Sequence, residues 1–158
     1  MSLQKKLNSM AFSVFSDDYF MNEALKEAQK AFDKNEVPVG AVIVSNKKII
    51  ARAHNQVELL NDATAHAEML AITSAMNALG AKYLDNCTIY ITLEPCVMCA
   101  GALAWAKIEH LYYGAVDPVR GFSIFSKRIL HPKTKIKKLV LASESEKLIK
   151  SFFVLKRK

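Results

Sequence analysis

The chain has 158 residues and a mass of 17.6 kDa, with 51% hydrophobic and 23% charged residues, a size and balance that suit one packed domain and exclude a disordered or fibrous chain. Its net charge of +7 is unevenly spread: residues 1–99 hold 9 Lys and Arg against 11 Asp and Glu, whereas residues 100–158 hold 13 against 4. Residues 127–138 alone carry six cations and no acid, which fits either a solvated face or a surface for an anionic partner such as nucleic acid.

Residues 1–16 read as a flexible extension ahead of a single domain at 17–158. The apolar run at 7–15 follows Lys5 and Lys6, but it contains serines and an asparagine and lacks a small-residue cleavage pattern, so it does not read as a signal peptide. The longest uncharged stretch, at 69–81, has 13 residues, too few to span a bilayer. A cytoplasmic protein with no membrane partner is expected. Three cysteines, two of them three positions apart, do not make a disulfide framework; in a reducing compartment such a pair reads first as a metal or redox site.

Met21, Ala24, Leu25, Ala28, Ala31 and Phe32 recur at spacings of three and four behind Asp17 and Asp18, with Asn35 and Pro38 beyond them, which predicts a helix with start and stop signals. Residues 39–44 and 48–53 are β-rich runs around Ser45-Asn46 and predict an antiparallel hairpin. A second helix is predicted over 64–79, capped by Asp62 or Thr64 and stopped by Gly80. The strand at 88–93 runs into Pro95, suited to a helix start, and 96–106 follows with no breaker except Gly101. That helix is apolar almost all round, which predicts burial on more than one side, in the core or at a subunit contact. Strands at 110–114 and 138–142 and an amphipathic helix at 144–155 complete the chain. Alternation of this kind predicts a layered α/β domain with helices on both faces of one sheet, and ligands collect in such sheets where strand ends meet helix starts.

Two of those helix starts carry unusual residues, Thr64-Ala65-His66-Ala67-Glu68 and Glu94-Pro95-Cys96-Val97-Met98-Cys99. Cysteines three apart in a first helical turn lie about 60° apart around the axis, so both sulfurs can face one ion. The helix N-terminus favours thiolate over thiol. With His66 as third ligand, a tetrahedral Zn²⁺ keeps its fourth position for water, as catalytic rather than structural zinc does. Two thiolates neutralise the ion, so such a water gains from a nearby base, and Glu68 is available as that base. Cys87 begins a strand and reads as a small core residue, and His54, His110 and His131 read as core or surface histidines. A CxxC pair alone would equally suit redox chemistry or half of a structural zinc site.

His66-Ala67-Glu68 with Pro95-Cys96-Val97-Met98-Cys99 matches the H-x-E…P-C-x-x-C signature, and here the chain resembles the zinc-dependent nucleoside and nucleobase deaminases. Residues 37–42, 64–68, 92–102 and 114–117 resemble more closely the bacterial tRNA-specific adenosine deaminases of that superfamily, and the likeness runs from about Asp18 to the end. The resemblance implies a cytidine deaminase-like three-layer α/β/α sandwich around a five-stranded mixed sheet, a homodimer, and hydrolytic deamination of adenosine to inosine at the wobble position of a tRNA anticodon stem-loop. Carried over by position, it implies His66, Cys96 and Cys99 as zinc ligands, Glu68 as the catalytic proton shuttle, Asn55 as a contact to the flipped base and Asp117 as a residue near the ribose. Asn55 equally suits a turn closing the hairpin strand, and Asp117 before Pro118 equally suits a turn or helix start.

Beyond Asp117 the likeness loosens. The family usually has a lysine two residues after that acid and a Gly-Ser pair soon after Gly121, where this chain has Val119, Arg120 and Phe122-Ser123-Ile124. The ending at 151–158, Ser-Phe-Phe followed by Lys156-Arg157-Lys158, resembles the family's aromatic-then-basic last helix. Two other functions fit the same residues: a deaminase of a free base or nucleotide of guanine or cytosine type, and a non-catalytic zinc-stabilised RNA-binding module.

Overall fold

The computed structural model describes residues 16–157, so the extension expected at 1–16 lies outside the described residues except for Ser16. That residue caps helix α1 (Asp17–Asp33): its backbone is extended and its hydroxyl accepts the Tyr19 N–H at 3.1 Å. Of the predicted stripe, Met21, Ala24, Ala28 and Ala31 are fully enclosed, and Leu25 and Phe32 are half-buried. Strand β1 (Gly40–Ser45) follows at close range. A Cβ at Gly40 would press into the Ala24 carbonyl oxygen and the Ala28 nitrogen, so glycine is what lets the strand lie directly against the helix backbone.

Strands β1 and β2 (Lys48–His54) form the predicted hairpin, but the strand extends through Ser45 and the turn is Asn46-Lys47, both at positive φ (49° and 61°). That pair of left-handed residues is what a tight two-residue hairpin requires. Helix α2 (Ala67–Leu79) ends on Gly80 at φ 61° as predicted, yet begins three residues later than expected. Asp62 and Thr64 do not cap it; the Asp62 carboxylate accepts the Thr64 N–H and O–H, both at 2.8 Å, in a turn of its own, and His66 takes the cap position. Strand β3 (Thr88–Leu93) matches its prediction, and helix α3 (Val97–Ala106) starts one residue late, with Cys96 as cap.

Strand β4 (His110–Ala115) lies parallel to β3. The last strand corrects the sequence reading: β5 is Lys135–Lys137, pairing parallel to β4, and 138–142 is not a strand. Leu139 and Leu141 both sit at positive φ (66° and 51°), while Val140 between them is buried. The apolar run at 139–141 therefore buries Val140 without forming a strand, and the edge strand carries exposed lysines instead, a pattern that blunts edge-to-edge pairing. Between β4 and β5 lie a short helix α4 (Phe122–Phe125) and a 3₁₀ turn at Lys127–Ile129. Helix α5 (Ala142–Lys156) closes the chain, starting two residues earlier than predicted.

The sheet is five-stranded and mixed, in the order β2-β1-β3-β4-β5. Side chains alternate across it: Ala41, Ile43, Ile89 and Ile91 meet Ala71, Ala75, Ala100 and Leu103 of α2 and α3. Val42, Val44 and Tyr90 face Phe20, Met21 and Ala24 of α1 on the other side. Helix α5 packs beside β4, and its Phe152 ring meets Phe32 of α1 edge-on at 5.9 Å. The expected three-layer α/β/α sandwich is what these residues build. Among the described residues, no helix is long and apolar enough to cross a membrane.

Candidate active site

The starts of α2 and α3 converge. His66 Nδ1 lies 3.7 Å from Cys96 Sγ and 3.6 Å from Cys99 Sγ, and the three ligand atoms fall within 4.8 Å of one another. Tetrahedral zinc with ordinary Zn–S and Zn–N bonds separates a sulfur and a nitrogen ligand by about 3.6 Å. The spacing therefore fits the ion, and among the described residues no fourth His, Cys, Asp or Glu belongs to the group.

His66 and Cys96 owe their freedom to being caps. Each has extended backbone and no side-chain capping bond, while its carbonyl accepts the first helical hydrogen bond, from Leu70 and from Ala100. Two helix N-termini thus point their positive ends at the sulfurs. The Cys96 thiol is held down to about 4, foremost by its hydrogen bond with Cys99 and also by His66. The Cys99 thiol is pushed up by its bond with Cys96 and by burial.

Glu68 sits two residues into α2 and is only 4% exposed. Burial raises its carboxyl above the ordinary carboxylate range, and it lies within hydrogen-bond reach of Cys99. A buried carboxyl with a raised proton affinity suits a group that must take and return a proton near neutral pH. His66, Glu68 and Cys96 border a cavity of about 1300 Å³ whose rim carries Lys150, Lys156 and Arg120.

Asn55 and Asp117 border the same cavity, but both already have structural work. Asn55 is buried and its Oδ1 accepts the Ala67 N–H at 2.8 Å, which fixes the orientation of its amide and ties the end of β2 to the start of α2. Asp117 Oδ1 accepts the N–H groups of Val119 and Arg120, both at 3.0 Å, so it opens a turn. Cys87 is buried and belongs to the core, and His54 is buried against Glu27 at 2.9 Å. None of the six cations at 127–138 borders the cavity. Lys137 is paired with Asp17 at 2.8 Å. Phe152 is buried, whereas Phe153 is 44% exposed beside the cavity.

Sequence reasoning missed Glu36 and Glu94, two carboxylates each 2% exposed. The signal for Glu94 was present, as the one charge between Thr88 and Pro95 in a run built for burial. Glu36 lies among polar neighbours and gave no signal.

The model of the cytidine and deoxycytidylate deaminase zinc-binding region matches residues 15–115. The chain is 47% identical over 141 residues to a tRNA-specific adenosine deaminase of Aquifex aeolicus, covering 86% of this chain and 93% of that protein. It is 44% identical over 142 residues to a tRNA-specific adenosine deaminase of Bacillus subtilis, covering 87% and 88%. A solved structure from studies of A-to-I editing by tRNA:A34 deaminases at the wobble position of transfer RNA superposes with a TM-score of 0.77 at 43% identity, covering 82% of this chain and 98% of that one. The His66–Cys96–Cys99 group on two converging helix starts is positioned to hold a metal ion, and the chain belongs to the cytidine and deoxycytidylate deaminase family, among its tRNA-specific adenosine deaminases.

Proposed function

We propose that this protein is a zinc-dependent hydrolase that converts adenosine to inosine at the wobble position of a tRNA anticodon stem-loop, in the cytoplasm. The observation that carries the reading is Glu68, buried beside the His66–Cys96–Cys99 group at a cavity that Lys34, Arg120, Lys150 and Lys156 also border. His66, Cys96 and Cys99 would hold the zinc, which would acidify a water molecule there.

Glu68 takes a proton from the attacking water and delivers it to N1 of adenine while the water oxygen bonds to C6. Glu68 then carries the second proton to the exocyclic nitrogen, the C6–N6 bond breaks, and ammonia leaves inosine behind. Its raised proton affinity serves both transfers. Asn55 has its Oδ1 held by Ala67, which leaves its NH₂ as a donor toward an acceptor on the purine. Asp117 shapes the turn at the cavity mouth near the ribose. A base reaches such a pocket only when splayed out of its loop, which an anticodon loop permits.

Helix α3 supports a homodimer. Its inner face is buried, but Val97 (41%) and Trp105 (82%) are exposed on the same helix, and an apolar surface of this kind marks a protein contact.

The lysines of α5 at the cavity give the RNA reading its own test. Lys150→Ala with Lys156→Ala is expected to weaken stem-loop binding and to make log K against log salt shallower by about 1.4, the contribution of two phosphate contacts to a single strand. Neutralising Lys133 and Lys135, which do not border the cavity, is expected to change that slope less. Binding titrations at three salt concentrations read both. The reaction is tested by comparing inosine formed in an anticodon stem-loop with ammonia released from guanine, cytosine, adenosine and their nucleotides. Turnover confined to the stem-loop is expected, and efficient release from a free base would replace this reading with a free-base deaminase.

A further inference from the structure

Glu36 and Glu94 take no part in the proton chemistry, yet both are buried carboxylates without an ion-pair partner among the described residues. Each is used instead as an acceptor for backbone N–H groups of a cavity wall. Glu36 Oε1 accepts from Glu58 at 2.7 Å and from Leu59 at 2.9 Å, at the start of the turn that contributes Val57 and Glu58 to the cavity. Glu94 Oε1 accepts from Asp117 at 3.2 Å, and its Oε2 accepts the N–H and O–H of Ser123 at 3.0 and 2.7 Å, so the carboxylate spans the loop that contributes Val116 through Arg120.

The second loop is held to the metal-ligand segment at further points. Phe122 N–H donates to the Pro95 carbonyl at 3.0 Å, Cys96 and Gly121 form a β-bridge, and a Cβ at Gly121 would collide with the Glu94 carboxyl. Hydrogen bonds from backbone amides to a charged, desolvated acceptor are among the strong ones. Both walls therefore keep fixed distances from the floor where His66, Glu68 and Cys96 lie.

We propose that Glu36 and Glu94 are positioning residues for the RNA substrate: each fixes one wall of the cavity, so that they set RNA affinity rather than the proton chemistry at Glu68. This rests on the function proposed above. The two differ in a way that makes the inference specific. Glu36 uses one oxygen for both of its bonds while Oε2 has no partner, so the single carbonyl of a glutamine can accept the same two N–H groups, without the charge. Glu94 uses both oxygens as acceptors, and a glutamine there turns an NH₂ toward a donor.

Steady-state kinetics on an anticodon stem-loop, zinc content and amide hydrogen exchange of the RNA-free protein test this together. Glu94→Gln and Glu36→Ala are expected to raise KM by about tenfold or more while kcat stays within about threefold, with one zinc per chain retained. Exchange should quicken at Asp117 and Ser123 in the first variant and at Glu58 and Leu59 in the second, without global loss of protection. Glu36→Gln is expected to restore what Glu36→Ala loses, whereas Glu94→Gln is itself impaired. Unchanged exchange at Asp117 and Ser123 in Glu94→Gln, quickened exchange with an unchanged KM, or loss of zinc and kcat together would each overturn the positioning role. Because exchange is read without RNA, a wild-type protein that forms no inosine would count against the proposed function alone.

Discussion

Glu68→Gln is expected to bind one zinc per chain, to melt no lower than the wild type, and to deaminate about 10²–10⁴-fold more slowly, the range general acid–base catalysis supplies. Glutamine keeps the shape of a side chain that is 4% exposed, so packing against α2 and the core persists. The zinc is expected to persist because the proposed ligand set, His66, Cys96 and Cys99, does not include the carboxyl. Replacing a buried, desolvated carboxyl with a neutral isostere removes a penalty rather than a support, which is why no loss of melting temperature is expected. Only the capacity to take and return a proton is lost. Metal analysis, thermal melts and inosine formation on one preparation read all three; turnover near that of the wild type would remove Glu68 from the mechanism.

Cys96→Ala is expected to lose both the metal and the activity, which separates it from Glu68→Gln. Without Cys96 only His66 and Cys99 of the group remain, a set too small for tetrahedral zinc. Zinc that binds the folded state stabilises it by mass action, so the variant should also melt several degrees lower at saturating zinc, by about the fall seen when the wild type is treated with chelator. Returning zinc should restore activity to the chelated wild type and not to Cys96→Ala. A variant that keeps stoichiometric zinc would mean that the ligand set has been misassigned.

The parts of this molecule that were legible in the sequence are those that depend on local pattern. The stripe from Met21 to Phe32, the strand at 88–93 and the stop at Gly80 follow from periodicity and conformational freedom, and all are found. His66, Glu68, Cys96 and Cys99 were legible as a group because residue type and helix-start position jointly select for metal chemistry. Less legible was anything decided across the chain. Asp62 and Thr64 have the right residue types for a cap, but they bond to each other, and the cap passes to His66, which is what frees its imidazole. Leu139 to Leu141 look like a strand, yet pairing to β4 is taken by Lys135 to Lys137. Glu36 and Glu94 act on amides 22 to 29 residues away, and no local pattern encodes a carboxylate's reach to a distant loop. The charge asymmetry was visible as a total, but the cations that border the cavity come from α5, Lys34 and Arg120 rather than from the dense run at 127–138.

The charge, the zinc group and Glu68 meet in one claim, that this chain removes the exocyclic amine from a single adenosine of tRNA. Sequencing of tRNA incubated with the zinc-loaded protein, beside the same tRNA incubated with chelated protein, tests it most directly, because inosine is read as guanosine. An A-to-G change at the wobble position in the zinc-loaded sample alone is the result predicted. An unchanged adenosine there, with zinc bound and the protein folded, would contradict it.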